Sequence, residues 1–457
     1  MPKSDYDIAK ANSADVERIS SKFGLPNFIS YVLAGRNMTD ISKLEEFFAP
    51  ELDRDWKNPY IIPGMKEVAD SLEFAIRSHK KIVIFGDYDV DGITATCVMT
   101  RALRILKADV YPFIPLRISE GYGITKESVS RLLDQCPDVQ TVVTVDNGIT
   151  AREEASLFTE RRIELIITDH HEPGDLVPVG IPVCDPKLDP ECPSTILSGV
   201  GVALKLVQVI GSRFGQSYLW KNFLDFAAIG TIADLMPMKE ENRALCAAGL
   251  ELMRKKLRPC FRAMFKVAGI DSSNIDTNTF SFKINPRLNA AGRIEDPKIA
   301  LDLLLQDDYD YALTRAYDIE NLNKKRKECE QVVLRQALEE AQNTYLGQRA
   351  LVLSGQDWHE GVIGIVASRI VDEYGVPVIL CKLEGDQALG SGRTIGQVDL
   401  LEAIQSCSRY LIRFGGHKSA AGLTLLRQNL VDFEAGVNQY LSKLPESDFH
   451  PQVRIDS

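Results

Sequence analysis

Three carboxylates at alternate positions, Asp87, Asp89 and Asp91, sit in the stretch KIVIFGDYDVDG (81–92). Acids this close repel one another and are costly to desolvate, so a positive partner is required, and a divalent cation is the simplest. Taken alone, an acid-rich turn with an Asp helix cap would read the same way. Two later stretches weigh against that. VDNG (145–148) carries Asp146, and TDHHEPG (168–174) carries Asp169, His170 and His171, holding two of the chain's six histidines. A fourth, DFAAIGTIADLMPM (225–238), carries Asp234 between apolar neighbours, which favours a buried, paired acid over a solvated one. Oxygen ligands with one or two imidazoles suit Mn²⁺ or Mg²⁺ better than structural zinc, which prefers thiolate and imidazole. The carboxylates suffice for two ions, and a pair about 3.5–4 Å apart is the usual arrangement for phosphate-ester hydrolysis. One ion activates water, and the pair stabilises charge on the phosphoryl oxygens.

These residues need a frame. Apolar runs at 82–86, 109–114, 141–145 and 164–168 alternate with helical segments. Their spacing suits βαβ units and a parallel sheet. The chemistry-bearing residues follow the first, third and fourth runs. In an open parallel sheet ligands bind beyond the carboxyl ends of the strands, so three strands would deliver acids and a His pair to one edge. Residues 305–346 contain no Pro and, before Gly347, no Gly, which predicts one long helix connecting two domains. Its basic run, Lys324 to Lys327, reads first as a solvated face.

A second α/β unit begins with a strand over 349–355, a helix from 361 and a strand over 377–383. GSGR (390–393) and GGHKSAAG (415–422) follow. Glycines beside a serine, an arginine and a histidine let an anion come close; each stretch alone would equally be a tight turn. Residues 1–20 read as polar and loosely held, and 446–457 as a loose tail.

At about 100–200 residues per domain, 457 residues predict two or three domains. No run of eighteen apolar residues exists, so no membrane span is expected. Nine cysteines with no CxxC pair fit buried thiols in a reducing cytoplasm better than a disulfide framework or zinc site. The net charge of −11 argues against a general polyanion-binding surface and leaves room for a local basic groove.

Taken together, GDYDVDG, VDNG, TDHHEPG and GTIADLMPM resemble, in order, the four acid-bearing motifs of the DHH phosphoesterase superfamily. PRLNAAGR (286–293), WHEGVIGIVASR (358–369), GSGRT and FGGHKSAAG resemble its RecJ family more narrowly. The resemblance runs from about residue 25 to 425. It implies an α/β fold in which a parallel-sheet DHH domain is joined by a long helix to a smaller α/β DHH-associated domain, with a catalytic cleft between them. The expected segments are an N-terminal helical segment (1–46), the catalytic domain (47–304), the connecting helix (305–346), a substrate-binding domain (347–445) and the tail (446–457).

By that resemblance Asp89, Asp91, Asp146, His170 and Asp234 hold two ions of Mn²⁺ or Mg²⁺, with Asp146 bridging and Asp87 ligating or orienting. His171 faces the scissile phosphate, while Arg287 and Asn289 line the active site. Arg117 lies near the bound strand; Ser391 and Arg393 hold a terminal 5′-phosphate, with His417 on the same wall. Small-molecule members often carry a histidine where this chain has Phe85, a departure that points to a polynucleotide enzyme. The implied activity is 5′→3′ degradation of single-stranded DNA to mononucleotides in repair and recombination, by a cytoplasmic monomer that works with a helicase and a single-strand-binding protein. RecJ proteins commonly continue into an OB-fold; the chain stops near where one would begin, so weaker strand binding and lower processivity are expected. The alternatives are a DHH phosphodiesterase acting on short oligonucleotides or cyclic dinucleotides, and a non-catalytic scaffold. The scaffold predicts lost ligands, and none is lost. Tyr122 and Trp358 are candidate stacking residues, with core packing the competing role for Trp358.

Overall fold

The computed structural model describes residues 5–456 and divides into two compact units. One spans residues 45–324; the other combines the residues up to Leu44 with those from Lys325.

The chain opens with strand β1 (Asp5–Ile8) and helix α1 (Ser13–Phe23). The first unit then builds a five-stranded sheet from β2 (Ile82–Phe85), β3 (Val110–Phe113), β4 (Thr141–Val145), β5 (Glu164–Thr168) and β6 (Val183–Cys184). All pairings are parallel, in the order β3-β2-β4-β5-β6. Every residue of β2 and β4 is buried, as expected where helices cover both faces. The strand order reverses between β2 and β4, and a sheet of this kind opens a crevice beyond the strand ends at such a point. The two-residue β6 is too short to stand out in the sequence.

Five helices of this unit matter for the site: α2 (Val90–Ile105), α3 (Gly199–Arg213), α4 (Leu224–Ala233), α5 (Glu240–Lys255) and α6 (Asn285–Ile294). An ion pair locks α3 to α5. Lys205 and Glu241 are both fully buried and 2.7 Å apart. Lys205 Nζ also donates to the Lys57 carbonyl at 2.6 Å and sits 3.6 Å from the centre of the Trp56 ring. Glu241 accepts in addition from Ser194 Oγ at 2.6 Å. Burial lowers the Lys205 pKa to about 8 against the opposing charge of Glu241. Removing one member of such a pair strands the other charge. Lys205→Met is therefore expected to cost about 3–5 kcal/mol in urea unfolding, and the double substitution with Glu241→Met to recover most of it. A single substitution costing under about 1 kcal/mol would refute this account.

Helix α7 (Tyr309–Thr344), 36 residues long, joins the two units. The second unit carries a mixed sheet of β7 (Leu351–Gly355), β8 (Val378–Glu384), β9 (Gln387–Arg393), β10 (Leu411–His417) and β11 (Ala420–Leu426), in the order β10-β11-β9-β8-β7. Only β7 and β8 run parallel. Helix α8 (Glu360–Tyr374) links them. GSGR, which alone could be a turn, is the end of strand β9. The turn is at Gly385 instead, whose φ of +57° favours glycine.

Two readings are corrected. Residues 13–23 are a helix rather than loosely held, and Asn12 caps it by accepting from the Ala14 amide. The tail is not loose: β12 (Gln452–Ile455) pairs in parallel with β1, Asp5 opposite Gln452. Both strands are four residues long and exposed, so neither has a hydrophobic alternation to announce it. Among the described residues no helix is long and apolar enough to cross a membrane.

Candidate metal centre

The residues after β2 turn directly into α2. Asp89 caps that helix, its Oδ1 accepting from the Gly92 amide at 3.1 Å. The turn is tight: a Cβ on Gly92 would lie 2.5–2.6 Å from the backbone and Cβ of Asp87. Asn289 on α6 closes it from the other side, its Oδ1 accepting from the Val90 amide at 3.2 Å. After β4, Asp146 takes a left-handed conformation with φ of +64°. Such a φ is uncommon outside glycine, but Asp and Asn tolerate it best. After β5 come Asp169, His170 and His171, and Asp234 ends α4.

These side chains converge. Single ligand atoms from Asp91, His170 and Asp234 lie within 4.8 Å of one another, and so do those of Asp87, Asp89 and Asp146. His170 Nε2 joins the groups, at 3.0 Å from Asp146 Oδ1, 3.6 Å from Asp234 Oδ2 and 3.9 Å from Asp91 Oδ2. Yet His170 Nε2, Asp146 Oδ1 and Asp87 Oδ1 are buried with no hydrogen-bond partner among the described residues. Buried polar atoms are normally paired, and carboxylate oxygens and an imidazole nitrogen converging without hydrogen-bond partners fit a cation's ligand set.

The electrostatics agree. Burial, then the charge of Asp89, pushes the Asp87 pKa well above the usual carboxylate range. Burial and then Asp234 do the same to Asp91, and burial followed by Asp91, Asp89 and Asp87 to Asp146. Asp234 rises to about 6, through burial and Asp89. Burial, with His171 beside it, lowers His170 to about 3, so its imidazole is neutral and able to ligate.

Asp169 has a different task. Its Oδ2 accepts from the Ile149 amide at 3.0 Å, and its Oδ1 from the His170 amide at 2.7 Å, with His171 Nδ1 at 2.8 Å. Burial opposes charge on His171, but the bond to Asp169 outweighs it and raises the pKa to about 9. Tyr122, half exposed, reaches the same ring nitrogen at 3.3 Å. Trp358 does not offer a stacking face: it is 2 % exposed and donates to Gln336 Oε1 at 2.8 Å.

The amino end of α3 also meets the carboxylates, through groups that no side chain in the sequence announces. The Gly199 and Val200 amides donate to the two oxygens of Asp91 at 2.6 and 3.1 Å. A Cβ on Gly199 would fall 2.4–2.6 Å from the Asp146 side chain. Ser198, capping a helix by sequence pattern, was the available signal. Also missed was Asp185, buried at the end of β6, its pKa raised to about 7 by burial.

Arg117 stacks over the Tyr88 ring at 4.9 Å, next to the carboxylates. Arg287 is held by Glu320 at 2.6 Å, with both side chains 16 % exposed. Among the described contacts it bonds to none of the carboxylates after β2, β4 and α4. In the second unit, register pairs Arg393 with Ala420 and Ala420 with His417, and pairs Ser391 with Gly422. Paired and alternate residues share a sheet face, so Ser391, Arg393 and His417 lie on one face. On that face the positions of Gly415 and Gly422 are open, with nothing closer than 3.9 Å to a Cβ at either, while Gly364 of α8 lies against Ser391 and Arg393, a Cβ there falling 2.8 Å from both side chains.

Comparison with known proteins places this geometry in context. The models described as DHH family, N-terminal domain, and DHHA1 domain match residues 81–231 and 347–443. The single-stranded-DNA-specific exonuclease RecJ of Bacillus subtilis is 36% identical over 459 residues, covering 99% of this chain and 57% of that protein. The RecJ of Haemophilus influenzae is 36% identical over 415 residues, covering 85% and 71%. Among solved structures, RecJ from Thermus thermophilus in complex with Mn²⁺ matches with a TM-score of 0.85 at 31% identity, over 99% of this chain and 64% of that one. A further exonuclease RecJ, bound to manganese, matches at 0.75 and 36% identity, over 84% and 96%. The chain thus spans little more than half the length of the Bacillus relative.

Proposed function

Because the chain belongs to the RecJ family of DHH phosphoesterases, we propose that it hydrolyses single-stranded DNA from the 5′ end to mononucleotides, using Mn²⁺ or Mg²⁺. The observation that carries this reading is the set of orphaned, converging lone pairs on Asp87, Asp146 and His170. Asp91, His170 and Asp234 would hold one ion, Asp87 and Asp89 the other, and Asp146 would serve both. When bound, the two ions would activate water and neutralise charge at the phosphoryl group.

The protein's own groups do the rest. Asp169 takes Nδ1 of His171 and holds the ring protonated, leaving Nε2 to stabilise or protonate the leaving oxygen. Asn289 steadies the turn that presents Asp87 and Asp89, and Arg287, two residues before it on α6, braces that helix through Glu320. Arg117 would meet the strand's phosphates beside Tyr88. Ser391, Arg393 and His417 would receive the terminal 5′-phosphate beside the open positions of Gly415 and Gly422, where a guanidinium binds it in fork geometry. The protein would act as a cytoplasmic monomer with a helicase and a single-strand-binding protein as partners; the nine unpaired cysteines support a reducing compartment.

A time course on single strands labelled at either end tests this reading. The 5′ label is expected to leave first with Mn²⁺ or Mg²⁺, and chelator to stop release. Release from the 3′ end first, or faster turnover of dinucleotides than of long strands, would overturn it.

A further inference from the structure

The unit that holds the carboxylates has a second concave site, a half-open cavity of about 730 Å³. Its walls are basic. Five cations, Arg101, Arg104, Lys107, Lys256 and Arg258, face two carboxylates, Asp225 and Asp307. Arg258 is committed to Asp225 at 2.5 Å and Arg101 to Asp307 at 3.0 Å. Among the described ion pairs none takes up Arg104, Lys107 or Lys256, and all three are exposed or half-exposed. On a chain of net charge −11 this is a local excess of positive charge aimed at one volume. The floor is apolar, formed by the partly exposed Leu252, Leu257 and Pro259.

The cavity is distinct from the metal centre. Helix α2 carries Asp91 in its first turn and Arg104 in its last. Its 16 residues put about 24 Å between those ends. Helix α4 packs against α2 and runs the other way, from Asp225 at the cavity to Asp234 among the carboxylates. The cavity therefore lies at the far ends of both helices, and the amino end of α4 adds its positive pole to the cations there.

We propose that this cavity binds a nucleoside phosphate, its phosphate held by Arg104, Lys107 and Lys256 and its base laid over the apolar floor of Leu252, Leu257 and Pro259. The volume falls within the range of small-ligand sites, about 300–1,000 Å³. An apolar floor under a cationic rim matches a ligand with a flat apolar part and an anionic part; a bare anion would leave the floor unused. The binding needs no metal, so it is separable from hydrolysis.

Hydrogen–deuterium exchange on the full chain in chelator, with dAMP, adenosine or inorganic phosphate as probes, tests the site. Millimolar dAMP is expected to protect 101–107 and 252–259, while adenosine and phosphate protect them far less. The double substitution Arg104→Glu/Lys256→Glu, at exposed positions, is expected to weaken dAMP binding at least about tenfold without lowering the melting temperature. Arg104→Lys is expected to retain most of it. Equal protection by phosphate and dAMP would overturn the nucleoside assignment. Absent protection, or protection unchanged in the double variant, would overturn the site.

Discussion

Asp146→Asn is expected to lower strand hydrolysis by about a thousandfold or more, the loss of several kcal/mol of charge stabilisation, while making the metal-free protein more stable. Both effects follow from one position. Asp146 is buried among Asp91, Asp89 and Asp87, and its unpartnered Oδ1 lies 3.0 Å from His170 Nε2. A cation there turns that crowding into ligation; without one, the crowding is repulsion. Asparagine keeps the shape and tolerates the φ of +64°, where alanine would add strain. Removing the charge should relieve on the order of 2 kcal/mol of repulsion in chelator. The checks are nucleotide release with Mn²⁺ and melting curves with and without metal, whose metal-induced shift should shrink. A variant that still hydrolyses at the parent rate, or that melts lower in chelator, would refute the assignment.

Gly199→Ala is expected to reduce kcat about a hundredfold with the fold intact, since a displacement near 1 Å at a reacting centre has that effect. The new methyl would overlap Asp146 Oδ1 at 2.4 Å, and the neighbouring amides are bonded to Asp91. Either carboxylate has to move. Gly201→Ala, two residues further along α3, is the control, because the nearest atoms to its methyl belong to the Leu197 side chain, from 3.1 Å, and not to a carboxylate. Steady-state kinetics on single strands should show the fall in kcat for Gly199→Ala with little change in KM. Equal activity of the two variants would mean that α3 does not position the carboxylates.

How much of this could be read from residues alone depends on where each signal is stored. Asp87, Asp89, Asp91, Asp146 and His170 each follow an apolar run directly, so strand and ligand announce each other within a few residues. Asp234 stood out as an acid among apolar neighbours. Gly199 and Val200 act through backbone amides, which have no letter in a sequence, and their partner Asp91 is 108 residues away from Gly199. Asn289 and Arg287 were legible as a motif, but not that Asn289 would cap α2 or that Glu320 would hold Arg287. GSGR misled because glycine is usually punctuation; here two neighbouring strands supply the partners that keep it extended. The pairing of β1 with β12 joins the two extremes of the chain and leaves no local trace.

The way the chain divides also orders its birth. The unit holding the carboxylates is one continuous stretch, 45–324, and can close as soon as that stretch has left the ribosome. The other unit is split: its opening residues can bury Val16, Ile19, Leu33 and Leu44 against one another, but β1 must wait for its partner strand in the segment beyond Lys325. Strand β1 finds its partner only once Gln452–Ile455 has been made. A stalled or nicked chain would thus carry an assembled metal centre together with an unfinished second unit, and would expose the orphaned β1 edge to pairing with other chains.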